Sequence, residues 1–86
     1  MSERTGNMAK VYITKDEQRN ARLAAWVYGE MRVRGIPQRV LAHKRGVSQQ
    51  AMSLKLKKHH FDFEDFAMFV EMFDPSDEEI RRLVRG

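Results

Sequence analysis

Start and stop signals for helices recur along this chain at intervals too short for anything but brief helices. Thr14 with Glu17, Asp62 with Asp65, and Ser76 with Glu79 each set a side-chain acceptor three residues before an acid, the spacing of a capping box. Ser48 supplies a further N-cap. Gly35 and Gly46 supply left-handed stops, and Asp74-Pro75 ends another segment. The punctuation predicts helices over 14–34, 38–45, 49–57 and 63–73, and a last one after Ser76 carrying Ile80, Leu83 and Val84. Pro37 suits the opening of the second, where a missing N–H costs little. No strand-like alternation of any length competes, so the expected fold is all-α.

A chain of 86 residues makes one small domain, burying only about two thirds of the surface it exposes when unfolded. With no cysteine, neither disulfides nor a thiolate metal site supplements the core. Helix packing must suffice, alone or with a partner subunit. Leu23, Val27 and Met31 recur every four residues with Ala24 beside them, giving the first helix a narrow buried stripe. Trp26 and Val33 point elsewhere. Leu41 and Ala42 face inward from the second helix, Met52 and Leu56 from the third. In the fourth, Phe63, Phe66, Phe69, Val70 and Phe73 are expected to form the core stripe, leaving Met68 and Met72 on the far side among Glu64, Asp65 and Glu71.

Residues 1–13 mix Gly, Asn, Ser and charge around one apolar cluster, Val11-Tyr12-Ile13, and read as a flexible N-terminal arm preceding a domain at 14–86. No apolar run approaches the roughly 20 residues that span a bilayer, and the N-terminus lacks a signal-peptide core. A cytoplasmic, nucleoid-associated location is expected.

Charge is divided along the chain. Residues 1–60 hold thirteen Lys and Arg against four Asp and Glu; residues 61–86 hold three against eight. Between Glu30 and Asp62 there is no acid, while Arg32, Arg34, Arg39, Lys44, Arg45, Lys55, Lys57 and Lys58 all fall there. An acid-free window within a chain otherwise rich in acids favours a surface for a polyanion.

The segment "RGVSQQAMSLKLKKHH" (Arg45 to His60) gives that surface a reader. On a helix over 49–57, Met52 and Leu56 share the inward face, and Gln49, Gln50, Ser53, Leu54 and Lys57 are expected on the outer surface. The apolar face must pack on helix 38–45, because Gly46-Val47-Ser48 is too short a turn to reach another neighbour. The outer face then offers glutamine amides, which match the edge of adenine in the DNA major groove, and a leucine suited to a thymine methyl. Lysines at its far end suit phosphates.

In these residues the chain resembles the lambda-repressor-like family of phage repressors, Cro proteins and Xre-type regulators. "QRVLAHKRGVSQQAMS" (Gln38 to Ser53) is similar to the family's helix-turn-helix, with Ala42 at the buried alanine, Gly46 at the turn, Val47 after it and Met52 as an apolar anchor. The resemblance extends over about residues 15 to 84 and implies a five-helix domain. It places base reading on Ser48, Gln49, Gln50, Ser53 and Leu54, and a phosphate contact on Gln38. Arg39, Lys44, Lys55, Lys57, Lys58 and His59 complete the expected phosphate-binding set. Two positions depart from the family. Arg45 stands where an apolar residue usually precedes the glycine, and Lys55 where a bulky aliphatic is common, with Leu56 one residue later reading as a shifted anchor.

Members of this family commonly dimerise, and Met68, Met72, Ile80, Leu83 and Val84 are the expected homodimer interface, methionine packing adaptably. The expected function is a sequence-specific transcriptional regulator binding double-stranded DNA at a roughly palindromic operator. The alternatives are an antitoxin-type autoregulator whose toxin docks on the C-terminal helices, and a protein–protein inhibitor built on the same scaffold. An enzyme is not expected: no nucleophile–base–acid set or glycine-rich phosphate loop is evident. His43, His59 and His60 match no common zinc spacing, and no metal, cofactor or small-molecule ligand is expected.

Overall fold

The computed structural model describes residues 14–86. The arm at 1–13, with Val11, Tyr12 and Ile13, lies outside the described residues. Five helices follow in order: α1 (Lys15–Arg34), α2 (Gln38–Arg45), α3 (Gln49–Lys58), α4 (Phe63–Phe73) and α5 (Asp77–Arg85), with no strand among the described residues. None of them is long and apolar enough to cross a membrane.

The caps explain these boundaries. Thr14 and Glu17 form the reciprocal box, each accepting the other's backbone N–H at 3.0 Å, and Asp62 and Asp65 do the same for α4. Ser48 Oγ accepts from the Ala51 amide at the start of α3. Ser76 Oγ accepts from the Glu79 amide, but the return bond from Glu79 that a full box requires is absent from the cap of α5. Pro37 lies one position earlier than the sequence favours, at the N-cap of α2 with φ −79°. Three helices end alike: Ile36, Val47 and His60 each donate N–H to the carbonyl five residues back, around left-handed Gly35, Gly46 and His59. His59 holds φ 59° with a side chain, a conformation that glycine adopts without strain.

The core gathers Leu23, Val27 and Met31 from α1, Leu41 and Ala42 from α2, Met52 and Leu56 from α3, and Met68, Phe69 and Phe73 from α4. Leu56 is fully buried, as its place on the inward face of α3 predicts. Trp26, which the α1 stripe leaves aside, meets Phe73 edge-on with ring centroids 5.6 Å apart. Two arginines of α1 tie the C-terminal helices down by their last carbonyls. Arg22 donates to Leu83 and Val84 at the end of α5. Arg34 donates to the Phe73 carbonyl while lying over that ring.

The register of α4 corrects the sequence reading. Asp65, Met68, Phe69 and Phe73 are its buried residues, whereas Phe63 is 80% exposed. Met68 therefore belongs to the core, and Met72 is half-buried against it. Leu83 is buried as well, and Ile80 half-buried. Of the expected interface residues, only Val84 is exposed. A side chain that fills its own subunit's interior is not free to pack on a partner.

Candidate nucleic-acid interface

α3 is held against α2 across the three residues Gly46-Val47-Ser48. Met52 and Leu56 seal against Leu41 and Ala42, all four buried. Since the inward side is fixed, the outward side is fixed with it. Ser48, Gln49, Gln50 and Leu54 are exposed and Ser53 is half-buried. Gln38, Gln49, Gln50, Ser53, Leu54 and Lys57 line one shallow, open depression. The structure thus brings together the proposed base readers, the glutamine at the start of α2 and one of the lysines. Ser48 stands at the head of the same helix, outside that depression, with its hydroxyl engaged as the N-cap by the Ala51 amide.

The cations divide into two groups. Arg39 and Lys44 lie on the outer face of α2 with Val40 and His43, and Lys57, Lys58 and His59 lie exposed at the end of α3. Arg32 and Arg39 share a second surface depression with Tyr28. None of Arg32, Arg39, Lys44, Lys57 and Lys58 is in a resolved salt bridge with a described residue. Within the basic window between Glu30 and Asp62, these are the charges left to meet an anion.

Lys55 is not among them, which corrects its assignment as a phosphate ligand. Its Nζ lies 2.8 Å from Oδ2 of Asp65, a carboxylate with no exposure at all, and its side chain is only 24% exposed. Arg45 joins from the other side, donating from Nε to Asp65 Oδ1 at 2.8 Å, and reaches Asp62 at 3.1 Å and Glu64 at 3.4 Å. The Asp62 amide donates to Asp65 Oδ2 at 2.9 Å. A buried carboxylate is tolerable only with such partners. The bond to Asp65 raises the Arg45 guanidinium above its ordinary value. Asp62 is held below its own, first by the amide hydrogen bond from Asp65, then by its side-chain bonding and the charges of Lys55 and Arg45.

Sequence reasoning missed this cluster, although its signal was present. The two residues that depart from the family resemblance, Arg45 and Lys55, are the two that converge on Asp65. Arg34 is likewise withdrawn from the basic window, bonded to Glu30 at 2.8 Å and to the Phe73 carbonyl.

Among known proteins, no family model, no curated protein and no solved structure matches this chain.

Proposed function

We propose that the protein is a sequence-specific double-stranded DNA-binding regulator of transcription, acting as a homodimer through a helix-turn-helix formed by α2 and α3. The observation that carries this reading is the depression lined by Gln38, Gln49, Gln50, Ser53, Leu54 and Lys57. It combines paired amide donors and acceptors, an exposed alkyl group and a cation on the outer side of one short helix. An α-helix fits the major groove, where adenine presents the donor–acceptor pair that a glutamine amide matches. Cations on both sides that pair with no described acid, Arg39 and Lys44 on α2, Lys57 and Lys58 on α3, supply phosphate contacts that orient without reading.

One short helix reads only a few base pairs, so useful specificity calls for two copies about one helical turn apart on the duplex. The acidic C-terminal half keeps the subunit contact off the DNA. The test is selection of bound sequences from a random pool of duplex DNA. Enrichment of a two-fold symmetric motif is the expected result; a pool that stays random would remove sequence reading, and binding insensitive to salt would remove DNA.

A further inference from the structure

We infer that Asp65 is a positioning residue for α3, setting through Lys55 and Arg45 the rotation at which the glutamine face is presented, without touching DNA itself. The inference rests on the proposed reading of DNA for its consequence, but on geometry alone for its cause. A single fully buried carboxylate receives Lys55 from α3, Arg45 from the last turn of α2, and the backbone of Asp62 ahead of α4, all within 2.9 Å. Three helices meet in one group.

Asp65 completes the cap of α4, but a cap needs neither Lys55 nor Arg45. Replacing a buried ion pair with apolar residues of similar volume is often neutral or better, so stability alone does not account for the two cations. Apolar contact is non-directional and decides which side of a helix is inside without setting its rotation finely, whereas a hydrogen bond weakens steeply once bent. Lys55 lies two positions after Ser53, about 160° round the helix from the reading face at 3.6 residues per turn. The tether is therefore at the back of α3, where it fixes the rotation of the front. At a side-chain radius of ~6 Å, a 20° rotation moves a glutamine amide by about 2 Å. A designed contact tolerates only about 0.5 Å.

The test uses the full chain with Lys55→Met and Asp65→Leu together, which leaves net charge unchanged and Arg45 paired with Asp62 and Glu64. Two quantities are measured: the orientation of α3 relative to α2 without DNA, from NMR residual dipolar couplings, and the ratio of affinities for the selected and random duplexes. The expected result is a reoriented α3, random-duplex affinity changed by less than about twofold, and a site preference reduced about tenfold, the size of one lost bidentate contact. An unreoriented α3, or an undiminished preference in the folded double variant, overturns the inference. If the double variant does not fold, Lys55→Met alone is measured in the same way with the same criteria. A wild-type protein with no site preference would overturn the DNA reading, and the dipolar couplings would still decide whether Asp65 positions α3.

Discussion

Lys55 Nζ lies 2.8 Å from Oδ2 of Asp65, a residue ten positions away that is wholly buried in the first turn of the next helix. The contact turns one of the chain's cations from the solvent to the interior, so the basic window between Glu30 and Asp62 is thinner as a surface than as a sequence. The charges that remain exposed make the first prediction. If a dimer contacts about six to eight phosphates, affinity should fall by orders of magnitude between ~50 and ~200 mM salt. Lys57→Met should lower the slope of log affinity against log salt by about two per dimer, one for each subunit's lost contact. Lys55→Met should leave that slope unchanged, because its ammonium is already engaged. Fluorescence anisotropy across a salt series separates the two.

Gln49 and Gln50 should carry discrimination. Alanine at either position should weaken the preferred site by about 1–3 kcal/mol and leave random DNA nearly unaffected. Competition binding with both duplexes gives the two numbers. Equal losses on both would mean that these amides hold the backbone and do not read bases.

His59 bears a side chain at φ 59°, where Gly35 and Gly46 do the same job at the ends of α1 and α2. His59→Gly should remove that strain and raise stability by about 1 kcal/mol, less the entropy that glycine adds to the unfolded chain. Chemical denaturation followed through Trp26, which packs on Phe73, measures it. A destabilised glycine variant would show that the imidazole makes a compensating contact.

Asp62 gives a pH dependence of definite sign. Its carboxyl is held below the ordinary value of 3.8, so the unfolded chain takes up the proton first as pH falls. Its contribution is present above that ordinary value and is lost as pH drops through the lowered one. Asp62→Asn should therefore lose less stability than the wild type on acidification from about pH 5 to pH 3, while starting less stable at neutral pH. Parallel stability curves for the two proteins would remove Asp62 from the acid transition.

The punctuation of the chain made most of the fold legible. Thr14, Ser48, Asp62 and Ser76 all cap helices, and Gly35 and Gly46 end them, because caps are local chemistry that needs no partner. The face of α4 was misread because five phenylalanine and valine residues outweighed one aspartate. Asp65 shares its four-residue spacing with Phe69 and Phe73, and that register would have placed it inward. Its burial follows only once Arg45 and Lys55 are known to lie opposite, which is a tertiary fact. The outer face of α3 was legible for the converse reason. Met52 and Leu56 fix which side is inside, and the residues proposed as readers are what is left.

The same register relocates the proposed subunit contact. Met68 and Leu83 are consumed by the interior, so glutamate at either should unfold the monomer and report nothing about a dimer. Phe63 stands 80% exposed at the start of α4, on the rim of a groove lined by Leu23, Phe61, Phe66, Leu83 and Val84. A two-fold axis beside it would seat each Phe63 in the partner's groove, since one surface then supplies both ring and cleft. The position lies just beyond the end of α3, so pairing there would set the spacing of the two proposed reading helices. Phe63→Glu should therefore leave helix content and denaturation midpoint close to wild type, because an exposed ring contributes little to the monomer. Solution mass should fall to that of a single chain of 10.1 kDa. Affinity for the two-fold site should drop by orders of magnitude, and the salt slope on random DNA should fall to about half, because a monomer makes half the phosphate contacts of a dimer. Retention of the dimer by a folded Phe63→Glu variant would place the contact elsewhere, with the exposed Val33 of α1 the next residue to substitute.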